Sequence, residues 1–315
     1  MKQRCIFNIF IKFIMMIFIF SIILFPSFSY AESKNNKLNT LESANTSLPD
    51  EEFVVLDVKT GKVVDEITSD ELEVKTRSVT TNHTEPYKVP LRAQNEISTR
   101  AIIGGDERTV VSHPYNEVAY LSAVIGGVPY ASTAVMIYKN LALTAAHCIY
   151  YNNQLFSGAE VFPERMRGNS PYGSALVTQC VMSKSYYENQ NPEADWAMLI
   201  LDRNIGEQSG WQAIAYSEDY SYYANGENVN VTGYPSEKEN GDTQYTATGP
   251  VKKATQNYLL YDVDATSGQS GGPVYDKNGY VIGVHKGALT EWGVTWNRGI
   301  NINKERFDVI VSYMN

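Results

Sequence analysis

The strongest constraint on this chain is a succession of short β-prone runs separated by turn residues across residues 101–315, with no long helical periodicity among them. The runs 118–125, 130–138, 229–234, 258–263, 280–285 and 293–302 are rich in Val, Ile, Tyr and Thr, which suit a pleated, half-buried surface. Asn278-Gly279 separates Pro273-Val274-Tyr275 from Tyr280-Val281-Ile282, and such a pair accepts the left-handed backbone of a tight hairpin. Helical spacing is confined to the end, where Phe307, Ile310, Val311 and Met314 share a face after Asn303, a capping residue. These patterns predict an all-β antiparallel barrel or sandwich with a C-terminal α-helix over about 303–314.

The first hundred residues differ in character. Residues 1–31 read as an export signal: Lys2 and Arg4 precede a Phe/Ile-rich run ending near Phe25, and Ser29-Tyr30-Ala31 places small residues where a signal peptidase inspects the chain. A membrane anchor is the rival reading, but a cleavage site follows at once and no basic stop-transfer cluster does. Cys5 leaves with the signal. Residues 32–100 are rich in Asn, Ser, Thr and Glu and poor in aromatics, too polar to bury much core alone. They carry one hairpin-like patch, Phe53-Val54-Val55 and Val63-Val64 flanking Thr60-Gly61-Lys62. A linker and a removable propeptide are the two readings, and Ser98-Thr99-Arg100 ahead of apolar Ala101-Ile102-Ile103 is a sequence that a processing protease cuts.

Charge and cysteine usage narrow the function. The net charge of -9 argues against nucleic acid or an anionic membrane as partner. Three cysteines are too few for a disulfide framework or for most thiolate metal sites. The four histidines are scattered, no H-E-x-x-H occurs and no phosphate-binding glycine loop precedes a helix, so neither metal nor cofactor is expected.

Two short sequences carry chemistry. Leu143-Thr144-Ala145-Ala146-His147-Cys148 sets a histidine after small residues, and Gly268-Gln269-Ser270-Gly271-Gly272-Pro273 sets a serine among glycines. A serine nucleophile needs a base within hydrogen-bond reach, and a developing oxyanion needs backbone N–H donors aimed at one point. Glycines beside the serine permit the tight turn that aligns the N–H groups of Gly268 and Ser270. The base needs an orienting carboxylate, which Asp195 supplies ahead of the apolar run 196–200. Each residue alone has an ordinary reading as a turn, a satisfied polar group or a cap; their order and flanks together point to catalysis. The G-x-S-x-G elbow of α/β-hydrolases matches the same letters, yet it requires an acid and then a histidine after the serine. Downstream, Asp276 and His285 fall within one predicted hairpin, so that reading fails on architecture.

At these residues the chain resembles the chymotrypsin-like serine proteases, and among them the bacterial glutamyl endopeptidases of staphylococci and bacilli. The likeness runs from about Ala101 to the C-terminus and rests on Thr-Ala-Ala-His-Cys, Asp-Trp-Ala and Ser-Gly-Gln-Ser-Gly-Gly-Pro in that order. It implies two six-stranded antiparallel β-barrels, over about 115–205 and 211–302, with the active site between them. It assigns His147 as general base, Asp195 as its orienting carboxylate, Ser270 as nucleophile, and the Gly268 and Ser270 N–H groups as the oxyanion hole. The implied enzyme is a secreted monomeric endopeptidase acting on proteins or peptides, free of the membrane once its signal is removed.

Specificity, by the same resemblance, turns on His285 in the wall of the primary pocket, where an imidazole returns a donor to a dehydrated substrate carboxylate. Ser267 adds a hydroxyl donor. Relatives carry a threonine or serine where this chain has Ala265, so one donor is missing and Thr266 or Lys286 are the local replacements. Gln269 stands where trypsin-like enzymes keep an aspartate that pairs with the new N-terminal amine. Glutamyl endopeptidases instead set that amine near the pocket, which gives the Ala101 ammonium a role in substrate binding. Export favours a Cys148–Cys180 disulfide, although the cysteine that pairs beside the histidine in animal relatives has no counterpart, Ser132 standing near its place. The alternatives are a same-fold protease of narrow specificity, like the exfoliative toxins, and an inactive secreted binding protein. N-terminal sequencing of the secreted protein is expected to return Ala101-Ile102-Ile103, and a mature end well away from Ala101 overturns the assignment of its amine to the pocket.

Overall fold

The computed structural model describes residues 51–68, 71–72, 105–125, 127–224, 226–291 and 294–314. The expected export signal, the cut after Arg100 and Ala101 itself lie outside these residues. The fold is two closed six-stranded antiparallel barrels followed by a C-terminal helix, Lys304–Ser312, as the sequence patterns and the resemblance led us to expect.

Barrel one joins β4 (Val118–Ile125), β5 (Val128–Tyr138), β6 (Leu141–Thr144), β9 (Gly158–Pro163), β10 (Ala175–Ser183) and β11 (Ala197–Leu201). The order is β11-β6-β5-β4-β9-β10, and pairing of β10 with β11 closes it. The period-two alternation that defines a half-buried strand is plain in β4, where Ala119, Leu121 and Ala123 are buried while Tyr120 and Ser122 are half-exposed. A small hairpin, β7 (Tyr150–Tyr151) and β8 (Gln154–Leu155), leaves the barrel after its histidine turn.

Barrel two joins β12 (Asn228–Gly233), β13 (Tyr245–Ala254), β14 (Tyr258–Tyr261), β15 (Pro273–Tyr275), β16 (Val281–Glu291) and β17 (Val294–Asn301), in the order β12-β15-β16-β17-β14-β13 with β12 paired to β13. Its interior is built from Val229, Val231, Leu259, Tyr261, Val274 and Ile282. The Asn278-Gly279 turn forms as expected: Gly279 has φ 83°, and the Asp276 carboxylate accepts the Asn278 and Tyr280 amides at 2.9 and 2.8 Å. A short strand, β3 (Thr109–Val110), borders β13. A separate apolar layer, with Val135, Leu143 and Met198 from barrel one and Val284 and Ile300 from barrel two, receives Val309 and Ile310 of the helix. Asn303 caps that helix by accepting the Arg306 amide at 2.9 Å.

The patch around Thr60-Gly61 is a hairpin, β1 (Phe53–Asp57) and β2 (Lys62–Ile67), and it lies on barrel one. The N-terminal end of β10 pairs with β9 at Ala175 and Leu176; farther along, residues Gln179 to Ser183 pair with β1.

The Cys148–Cys180 disulfide is not formed: both cysteines are free and buried. Cys148 lies in the turn Ala146–Cys148 and directs Sγ to the Ser270 carbonyl oxygen at 3.6 Å. Cys180 is held mid-strand, opposite Leu199 of β11 and Leu56 of β1, so the ladder sets its direction. Burial raises the Cys180 thiol to about 12, leaving it protonated and inert. Denatured without reductant, the processed protein is expected to bind two equivalents of a thiol reagent, and a 2 Da mass gain on reduction would instead restore the disulfide.

Candidate active site

The local sequence explains where each functional side chain stands. Small residues Ala145 and Ala146, both fully buried, let the chain turn tightly out of β6, and His147 emerges from that turn half-exposed. Asp195 sits just before β11, whose Ala197 pairs with Thr144 of β6, so the sheet brings aspartate and histidine to the same edge. The carboxylate grips its neighbour twice: Asp195 Oδ1 accepts the His147 backbone N–H at 2.9 Å, and Oδ2 lies 2.9 Å from His147 Nδ1. Ser270 comes from barrel two, on the loop between β14 and β15.

That loop is fastened to barrel one by threonines. The Thr133 amide donates to the Ser270 carbonyl at 2.9 Å, and the Thr133 hydroxyl donates to the Gly268 carbonyl at 2.8 Å. Thr144 in turn donates its hydroxyl to the Thr133 carbonyl at 2.8 Å. Gly271, at φ 83°, presses so closely here that a Cβ would fall 2.1 Å from Thr144 Oγ1 and 2.2 Å from the Thr133 carbonyl oxygen. No other residue fits. Gly268 is equally constrained, with φ 90° and a would-be Cβ 2.3 Å from the Tyr234 carbonyl oxygen. Ser270 Oγ donates to the Lys286 carbonyl at 3.4 Å, a long bond that is readily exchanged. Among the described residues no group accepts the Gly268 or Ser270 backbone N–H.

The electrostatics concentrate on Asp195, only 2% exposed. Burial pushes its carboxyl up, but His147, through its charge and hydrogen bonds, and Lys286 outweigh this and hold it below the ordinary value. Burial opposes protonation of His147, yet the Cys148 sulfur and the adjacent carboxylate bring it well above the ordinary imidazole value. Lys286 is a residue whose place the sequence left open. Its Nζ stands 3.4 Å from Asp195 Oδ2, so it serves the carboxylate and not the pocket. The signal was there in its position next to His285, but no pattern foretells which way a side chain at a bulged strand turns; the register of β16 and β17 shifts between His285 and Gly287.

His285 is 1% exposed, and its Nδ1 lies 2.8 Å from the Tyr261 hydroxyl. Burial, with the charge of His147, lowers its pKa to about 3, so it is neutral at physiological pH. Tyr261, raised by burial, is a neutral phenol. A Tyr261 hydroxyl that donates to Nδ1 puts the imidazole proton on Nε2, and one that accepts from Nδ1–H leaves Nε2 bare. Thr266 is exposed but occupied, donating to Glu237 Oε2 at 2.8 Å and accepting from Arg108 Nη1 at 2.5 Å, while Ser267 is exposed.

Arg108, which the sequence reading passed over, anchors this loop. Its guanidinium pairs with Asp106 at 2.8 Å and Glu237 at 2.6 Å, and donates to the buried Gln269 Oε1 at 3.0 Å. Gln269 therefore receives from Arg108 the contact that an aspartate takes from an amine in trypsin-like enzymes. The Glu107 amide donates to Asp264 Oδ2 at 2.7 Å, which runs this strand beside the pocket wall. Arg298, 6% exposed, leaves Nε without a hydrogen-bond partner among the described residues. Its charge acts on Tyr261, the residue whose hydroxyl meets His285.

No group of three His, Cys, Asp or Glu able to hold a metal ion occurs among the described residues. A family model described as Trypsin matches residues 102–303. A glutamyl endopeptidase of Bacillus licheniformis is 31% identical over 237 residues, 71% of this chain and 72% of that protein. An extracellular metalloprotease of Bacillus subtilis is 29% identical over 226 residues, 68% of this chain and 70% of the relative. Among solved structures, a Glu endopeptidase superposes with a TM-score of 0.59 at 28% identity, covering 66% of this chain and 96% of its own.

Replacing Lys286 with methionine removes a cation from beside Asp195 and from the imidazolium formed during turnover. The acid limb of kcat/KM is expected to move to higher pH by up to about one unit, since the protonated imidazole loses a repulsive neighbour. A limb that stays in place or moves to lower pH would show that the lysine charge does not reach His147.

Proposed function

Because the chain belongs to the trypsin family of serine endopeptidases, we propose that it hydrolyses peptide bonds through Ser270, His147 and Asp195, and that it prefers glutamate on the N-terminal side of the scissile bond. The reading is carried by one observation: a buried carboxylate, 2.9 Å from Nδ1, fixes the His147 ring on the edge of barrel one to which the Ser270 loop is fastened. With Nδ1–H committed to Asp195, Nε2 is left as the base.

In that mechanism His147 takes the Ser270 proton as Oγ attacks the substrate carbonyl carbon. The oxygen that becomes negative is received by the Gly268 and Ser270 N–H groups. Collapse of the tetrahedral intermediate expels the amine, which His147 protonates, and water releases the acyl group by the same route in reverse roles. The raised pKa of His147 suits the return of that proton.

Preference for glutamate follows from charge. A neutral His285 Nε2–H hydrogen-bonds a glutamate carboxylate or a glutamine amide oxygen alike, so discrimination requires a cation. Lys286 is engaged with Asp195 and Arg108 with two carboxylates, while Arg298 is a buried cation whose charge acts on Tyr261. The ammonium of Ala101, freed by cleavage after Arg100, supplies the charge, and residues 32–100 are then a propeptide that keeps the enzyme weakly selective until removed. Ser267 contributes a hydroxyl from the rim. The protein acts outside the cell, delivered by the signal of residues 1–31, as a monomer on protein or peptide substrates. A second reading, a protease of narrow specificity, is favoured by Ala265, which brings no hydroxyl to the pocket.

The test is cleavage of matched peptides with Glu, Asp, Gln or Lys before the scissile bond by protein cut after Arg100. Ser270→Ala is expected to lower kcat by about 10⁶, Asp195→Asn by about 10⁴. Acetylation of the Ala101 amine should erase Glu-over-Gln selectivity, whereas His285→Ala should weaken cleavage after Glu and Gln alike. Cleavage indifferent to Glu in the unmodified enzyme would keep the protease and overturn the glutamate pocket, and cleavage of none of these peptides by an enzyme that still reacts with a serine-directed phosphonate would favour the narrow-specificity reading.

A further inference from the structure

The hairpin of β1 and β2 precedes the family match, which begins at residue 102, yet it is built into barrel one as deeply as any strand of the domain. Its strand β1 is covered on both faces. Val54 and Leu56 enter the barrel interior with Cys180 and Met182, while Phe53 and Val55 join the apolar layer that holds Trp196, Val309 and Ile310. All four are at most 3% exposed, the burial of a central strand and not of an edge. The backbone ladder runs from Phe53 opposite Ser183 to Asp57 opposite Gln179 and is extended at both ends, by Lys184 N–H to the Glu52 carbonyl at 2.8 Å and Val58 N–H to the Thr178 carbonyl at 3.0 Å.

Glu51 adds a charged lock. It receives the Arg306 guanidinium in both oxygens, at 2.9 and 3.2 Å, and the arginine side chain is 3% exposed. The remaining Arg306 donors go to the carbonyls of Asn301, Asn257 and Glu193, so without Glu51 a buried cation in the C-terminal helix has no carboxylate. The Glu193 carbonyl and the Trp196 ring, which meets Phe53 edge-on at 5.7 Å, bracket Asp195. The hairpin thus braces the segment that carries the proposed orienting carboxylate.

We infer that the hairpin Glu51 to Ile67 is a permanent strand of the protease domain, which stays seated by β-augmentation after the chain is cut at Arg100, so that the working enzyme consists of two polypeptides. The cut is the one proposed above and the inference rests on that reading; its consequence is that only residues near the new amine are released while the hairpin remains. A propeptide of this kind is a structural subunit made in cis, and it is lost only when barrel one opens.

The experiment uses the full secreted chain as Ser270→Ala, to prevent self-digestion, with residues 95–100 replaced by the recognition sequence of a site-specific protease. After cutting, native size-exclusion chromatography with intact-mass detection is expected to show both pieces in one peak at a 1:1 ratio, separating only in denaturant. A Glu51→Ala version is expected to release its N-terminal piece at least tenfold faster. The inference is overturned if the N-terminal piece elutes alone while the larger piece keeps the circular dichroism and unfolding temperature of the uncut protein, or if Glu51→Ala releases no faster. Sequencing of the naturally secreted enzyme tests the Arg100 cut separately, since the engineered site decides seating wherever nature cuts.

Discussion

Thr133 is the residue on which the arrangement of the site depends. The two barrels form their own closed sheets, and nothing in either dictates where the serine of one stands relative to the histidine of the other. Thr133 settles this with its amide and hydroxyl, which take the Ser270 and Gly268 carbonyls, while Thr144, two residues before Ala146, takes the Thr133 carbonyl. The glycine at 271 is what permits the approach, because a single methyl group there would collide with both threonines. Buried hydrogen bonds of this kind are expensive to leave half-made, which makes the seam between barrels rigid. The proposed oxyanion donors inherit that rigidity, since the Gly268 and Ser270 carbonyls are fixed while their own amides have no acceptor among the described residues.

The charges of the site divide between two buried centres with opposite requirements. Asp195 is kept ionised by two backbone and side-chain donors of His147 and by Lys286, so its desolvation is offset by partners in place before any substrate arrives. His285 has no such partner and stays neutral beside Tyr261. A neutral imidazole costs less to bury than a charged one, and a preference for a carboxylate then rests on the separate cation proposed above. The cluster of Arg108, Asp106, Glu237 and Gln269 has a physical purpose of its own: it ties residues 106–108 to the loop that carries Ser270.

Much of this was legible in the residues because it depends on local chemistry. The alternation of β4, the Asn278-Gly279 turn and the Asn303 cap each act within a few positions, and each formed as its pattern predicts. The Cys148–Cys180 bond was misjudged because pairing depends on direction, and the ladder that aims Cys180 involves β1, a strand from outside the region of family resemblance. The sequence could not place Thr266 and Lys286, because their partners, Glu237, Arg108 and Asp195, lie far away along the chain.

By itself, then, the amino-acid order determined the all-β class, the C-terminal helix and the few polar residues able to carry acyl transfer, since periodicity, turn chemistry and motif order are properties of neighbouring residues. Tertiary structure alone decided that the β1–β2 hairpin pairs with β10 of barrel one, that Arg306 has Glu51 as its counter-ion, and that Lys286 leans on Asp195. Those outcomes depend on which edges and buried charges are left unpaired once the barrels have closed. A strand edge accepts any segment with two apolar faces, and a desolvated cation accepts whichever carboxylate can reach it, so the partners are chosen by geometry in space and leave no mark on the local sequence.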